Sequence, residues 1–233
     1  MDSTGQQSIF GRSISLTGTI ICGLALLTLL PIEIAVALIT LLTIVIGITT
    51  YRLKNYLILV ISCAFFLRIL IIVLNSVVEV LPTVLIASGH NQSALQLVTA
   101  WSDGQFFGIL GNTTMMRLLM AHLLAPFYII LGHSTLAGKI GIAFISLFIG
   151  YFVFKIARQV ADRRTSVLAA TVVLFWPTIV YRSVVIQREV VITTLLLIIL
   201  WATIQWLDSI KWSTVAAAVL AAAMILALRK ENL

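Results

Sequence analysis

The sequence predicts an all-α, polytopic transmembrane bundle of about seven spans, with amphipathic interfacial helices in a long outer loop of its first half. Three observations carry that class. Hydrophobic residues make up 61% of the chain and charged residues 10%, against roughly half and a quarter in soluble domains. Mean hydropathy is correspondingly high, at +1.15. Apolar runs of sixteen or more residues recur along the whole length, and Lys and Arg stand in short clusters between them.

The polar start "MDSTGQQSIFGRS" places Arg12 just before the first apolar run. That run meets a second one with no small-residue cleavage pattern between them, so a retained signal-anchor helix is expected. Spans are predicted over Ile14–Leu30 and Ile32–Thr50, divided by Pro31 and Glu33 into a hairpin. Residues 1–55 thus form an N-terminal two-helix unit, and 56–233 the remaining core. A third span runs from Tyr56 to about Leu81 and ends at Pro82.

The interval 82–138 is too polar to span cleanly and too apolar to be free in water. Amphipathic segments along the membrane face fit it. Its stretch "MMRLLMAHLLAPFYIILG", interrupted by Arg117, His122 and Pro126, is expected to be interfacial rather than spanning. A fourth span covers Lys139–Ile156, and the loop after it holds Lys155, Arg158, Arg163 and Arg164. The fifth starts near Thr165 and is broken at "FWPTIVYR". The sixth covers Glu189–Leu207 and the seventh Ser213–Leu228.

Charge sets the orientation. Arg12, Arg52 with Lys54, the Lys155–Arg164 cluster and Lys211 should all be cytoplasmic. The cluster stays inside only if one span separates it from the outer end of the third. The outer loop 82–138, and Asp103 within it, is then extracytoplasmic. The membrane is the plasma membrane, or the endoplasmic reticulum if the source is eukaryotic.

With only eight Asp and Glu in 233 residues, the charges inside apolar context stand out. Arg68 falls near the middle of the third span, where an arginine costs about 2.5–3.5 kcal/mol on insertion scales. Asn75 and Glu79 return to within roughly 20° of its face at 100° per residue. That stripe is either a structural contact between helices or the wall of a cavity, with Arg117 as a further lining candidate. Tyr181, Arg182, Arg188 and Glu189 cluster on the outer turn between the fifth and sixth spans. Glu189 suits a helix start, whereas two outer arginines call for another partner, such as phosphate. The three histidines show no metal-binding spacing, and Cys22 and Cys63 read as small packing residues. No basic stripe interleaved with aromatics appears, so nucleic acid is not an expected partner.

Five stretches carry a resemblance. "FFLRILIIVLN" leads to an outer loop with "SDGQFF". "YIILGHSTLAGKIGIAFISLFIGYFVFKIARQV" follows, then "ADRRTSVLAATVVLFWPTIVYRS" and "QREVVITTLLLIILWATI". Their order over about Tyr56–Leu228 resembles the GT-C superfold of membrane glycosyltransferases, which includes polyprenyl- and dolichyl-phosphate-sugar-dependent mannosyl- and aminoarabinosyltransferases. The resemblance implies transfer of a sugar from a polyprenyl-phosphate donor to a glycan, lipid or protein acceptor at the extracytoplasmic face. Asp103 would be the catalytic base, Arg182 and Arg188 would hold the lipid phosphate with Tyr181 and Glu189 beside them, and Phe106 and Phe107 would pack on sugar or lipid. Asp103 has no second acid next to it, with Glu79 the nearest other candidate. The resemblance therefore implies no certain cofactor and gives a divalent cation only weak support. Members are usually longer, so an N-terminal part or reduced relative is implied. Two other classes remain open: a non-catalytic assembly or lipid-binding subunit, and a small-molecule transporter.

Overall fold

The computed structural model describes residues 32–52, 55–78, 85–105, 115–208 and 212–229. The regular elements among them are all helices. In order they are α1 (Ile32–Arg52), α2 (Tyr56–Val78), α3 (Leu85–Ser102), α4 (Met115–Leu131) and α5 (Thr135–Val160). Then come α6 (Arg163–Leu174), α7 (Pro177–Val184), α8 (Arg188–Asp208) and α9 (Trp212–Arg229).

Tyr56–Val78, Thr135–Val160 and Arg188–Leu207 are long and apolar enough to cross a membrane. α6 and α7 make a fourth crossing if the pair, bent by 56° at its break, is one span. The apolar stretches Ile34–Thr49, Met115–Leu131 and Trp212–Leu228 reach at most 17 residues. For Met115–Leu131, a whole helix of that length, 1.5 Å per residue gives about 26 Å, short of the ~30 Å hydrocarbon core. The expected count of about seven is thus corrected to three, or four with the bent pair, among the described residues. Met115–Leu131 is not among the expected spans; the stretches Ile34–Thr49 and Trp212–Leu228 are the ones that leave the count. The expected span Ile14–Leu30 lies outside the described residues.

The lateral surface is that of a membrane protein. Leu41, Leu42, Val219 and Leu226 are each more than half exposed. Apolar side chains displayed this widely need hydrocarbon as their solvent.

Helix directions define two ends. Phe65 meets Phe144 edge-on, with ring centroids 6.2 Å apart, and Tyr56 lines a groove with Arg163 just past the end of α5, so α2 and α5 are antiparallel. Phe152 meets Trp201 at 5.7 Å, and Ile186 lies against Gly138, so α5 and α8 are parallel. One end therefore gathers the starts of α2 and α6 with the end of α5. The other gathers the starts of α5 and α8. α5 is the central column, touching α2, α4, α6, α7 and α8. Gly150 lets α6 come close: a Cβ there would overlap the Leu174 side chain.

Two helix starts lie upstream of expectation. α5 begins at Thr135 because the Ser134 hydroxyl accepts from the Ala137 amide at 3.4 Å. α6 begins at Arg163 because Asp162 is its N-cap. The Asp162 carboxylate accepts from the Thr165 hydroxyl and from the Arg164 amide at 3.0 Å, and these bonds hold its pKa below the usual aspartate value. A carboxyl whose folded pKa is depressed stabilises the fold above its unfolded pKa and loses that contribution as pH falls through the folded value. Asp162→Ala is therefore expected to lower the thermal midpoint at neutral pH, by an amount that shrinks toward about pH 3. Asp162→Asn should keep the cap without that pH dependence. Thermal unfolding in detergent across this range checks both.

Candidate functional site

The break between α6 and α7 follows from "FWP". Pro177 opens α7 without an N–H to give, so the Val173 carbonyl loses its helical donor, and the bend leaves that of Leu174 without a backbone donor as well. The Phe175 amide goes to the Thr171 carbonyl at 3.0 Å and the Trp176 amide to that of Val173 at 3.2 Å. The Leu174 carbonyl is taken by Arg68, whose Nη2 donates to it at 2.9 Å. Arg68 Nε donates to Ser183 Oγ at 2.8 Å, and the Ser183 hydroxyl donates to the Val180 carbonyl at 2.7 Å. Nη1 closes on the Ala64 carbonyl of its own helix at 2.8 Å. Arg68 is 0% exposed. It lines no open cavity, and its cavity-wall assignment gives way to the interhelix one: the guanidinium ties α2 to both sides of the bend.

Asp103 closes α3. The Gln105 amide reaches the Ala100 carbonyl at 2.8 Å and the Gly104 amide that of Trp101 at 3.1 Å, with Gly104 at φ 75°. This is a Schellman end, and only glycine adopts that backbone without strain. Gly104 is therefore explained by the turn. Asp103 is not. A carboxylate at a helix C-terminus opposes the macrodipole, and this one is exposed, with no hydrogen-bond or ion-pair partner among the described residues.

α3 and α4 are antiparallel: the Tyr128 hydroxyl bonds Asn91 Oδ1, and Trp101 meets the His122 ring at 5.8 Å. Asp103 is consequently level with the first turn of α4. Met116 in that turn receives Arg188 Nη1 on its sulfur at 2.7 Å, and the same nitrogen lies 3.4 Å from the Leu228 carbonyl of α9. Arg188 Nε stands 3.7 Å from Glu189 Oε1. The other end of α4 lies on α5, where Tyr128 touches Gly138. With Tyr128 beside the start of α5 and Met116 beside the start of α8, α4 lies across this end of the bundle.

The structure thus brings Asp103, Arg188 and Glu189 to one end. Arg182 is exposed in the last turn of α7, where the dipole favours a cation, and its neighbour Ser183 bonds Arg68. Tyr181 is half-buried, Arg117 exposed and Asn75 half-buried. Glu79, Phe106 and Phe107 lie outside the described residues. Among the described residues no three His, Cys, Asp or Glu side chains gather as metal ligands.

No family model, curated protein or solved structure matches the chain.

Sequence reasoning missed Ser183, Met116, and the Asn91–Tyr128 bond. The Trp-Pro break inside an apolar run was the available signal for the first, since a freed carbonyl in hydrocarbon demands a donor. Nothing in the sequence pointed to Met116. Arg68→Met removes the donors while keeping the bulk, and is expected to lower stability by about 1–3 kcal/mol. Arg182→Ala, on the exposed surface, should change it by about 0.5 kcal/mol or less. Thermal midpoints of the two variants check the contrast.

Proposed function

We propose that the chain is a membrane glycosyltransferase of GT-C type, moving a sugar from a polyprenyl-phosphate donor to an acceptor at the Asp103 end of the bundle. The contact between Arg188 and Met116 carries this reading, because it draws the start of α8 onto the helix that Asp103 stands beside. A free carboxylate and the Arg188 guanidinium then share one end, with Arg182 in the helix just before.

In the proposed reaction Asp103 takes the proton of an acceptor hydroxyl or amine. The acceptor oxygen or nitrogen bonds to the anomeric carbon as the bond from that carbon to the lipid phosphate oxygen breaks. The electron pair leaves with the phosphate, whose charge Arg182 and Arg188 neutralise, with Tyr181 and Glu189 alongside. α4, too short to span and lying across the end, serves as the interfacial element under which a lipid-linked sugar enters. Lys155, Arg158, Arg163 and Arg164 lie at or near the opposite end and would be cytoplasmic, which sets the Asp103 end outside.

A second reading, a non-catalytic assembly or lipid-binding subunit, is favoured by the way Arg188 is already occupied. It clamps Met116, Leu228 and Glu189, as a structural residue would. Transfer from a polyprenyl-phosphate sugar by the intact chain in membranes separates the two. Asp103→Asn is expected to cut turnover about 10²–10⁴-fold with the fold retained. Unchanged turnover would remove the base. Absence of any transfer, together with loss of yield in Arg188→Ala, would favour the second reading.

A further inference from the structure

At the end away from Asp103, the starts of α2 and α6 enclose a groove of about 630 Å³. Tyr56, Leu59 and Val60 line it from α2, and Arg163, Arg164 and Val167 from α6. Its volume falls in the range of small-ligand sites, and its chemistry is divided, with two guanidinium groups at the rim and aliphatic walls below.

The neighbouring charges are engaged. Lys155 lies over the Tyr151 ring, 5.7 Å from its centroid, and Arg158 donates to the Ala161 carbonyl at 3.0 Å. The Asp162 carboxylate, next to Arg163 in the chain, is held by Thr165 and the Arg164 amide. Neither Arg163 nor Arg164 has a side-chain hydrogen bond or ion pair among the described residues, and both are exposed. Cations in the first turn of a helix also oppose its dipole, so intramolecular electrostatics does not account for them. Together with the groove, they make a strongly electropositive rim over an apolar slot.

We propose that this groove binds an anionic glycerophospholipid of the leaflet at this end of the bundle. The phosphate would sit between Arg163 and Arg164, which offer it paired donors. An acyl chain would run along Leu59, Val60 and Val167, with Tyr56 at headgroup depth. A free phosphate ion would use the rim and leave the apolar walls without purpose. The site lies at the other end from Asp103 and does not rest on the transferase reading.

The test uses the whole chain in nanodiscs of phosphatidylcholine mixed with phosphatidylglycerol, followed by counting of retained lipids by native mass spectrometry. The parent is expected to retain phosphatidylglycerol over phosphatidylcholine by about tenfold. Arg163→Ala with Arg164→Ala should abolish that preference, and the double lysine variant should keep part of it. Val60→Trp, or Leu59→Trp if the first does not fold, should fill the slot and weaken retention with the charge unchanged. Circular dichroism confirms that each variant is folded. A preference that survives the double alanine variant overturns the proposal. So does one that is insensitive to filling the slot and is displaced by inorganic phosphate, which would mean a surface anion site.

Discussion

A carbonyl freed inside a membrane has no water to bond, and the fold is organised around the one at Leu174. Pro177 opens the chain there and bends α6 against α7 by 56°. Arg68 supplies the missing donor from a neighbouring helix, and Ser183 relays a further bond to the carbonyl of Val180. Each partner needs the other. An arginine at this depth is costly unless its donors are used, and an unbonded carbonyl is costly unless a donor arrives. Gly150 makes the geometry feasible by letting Leu174 come up against α5. The bend in turn decides where Arg182 and the start of α8 emerge.

Helix dipoles sort the remaining charges into two kinds. Asp162 at the start of α6, Glu189 in the first turn of α8, Arg182 in the last turn of α7 and Arg158 in the last turn of α5 all lie with the dipole. Local folding is a sufficient reason for each. Asp103 at the end of α3, Arg188 at the start of α8 and Arg163 with Arg164 at the start of α6 lie against it. Residues that cost stability where they stand are the ones to examine for ligands. They fall at both ends of the bundle: Asp103 and the already bonded Arg188 at one, Arg163 and Arg164 at the other. A single lipid-phosphate site cannot account for both.

The helical class, the break at "FWP" and the clustering of basic residues were legible because each has a short-range cause. Composition, a proline and a run of charges act within a turn or two of where they appear. The three-dimensional part was not. Whether Arg68 faces a cavity or a carbonyl depends on which helix lies opposite, and 106 residues separate it from Leu174. Span number was overread for a related reason. An apolar run reports what a segment can be buried in, whereas crossing requires length as well. Gly104, which follows Asp103, is the residue that ends the helix.

α4 also links the bundle's architecture to the chemistry proposed at its end. A helix of 17 residues that stood upright would leave several ångströms of core unspanned, with polar ends inside hydrocarbon. Laid across the end, it buries Met116, Met120, Leu124 and Tyr128 against the bundle. Arg117 and His122 stay exposed. The same placement holds Met116 against Arg188 and sets the end of α3 beside both. Thus the segment too short to span leaves Arg117 and His122 accessible at the end of the bundle that also holds Asp103 and the start of α8.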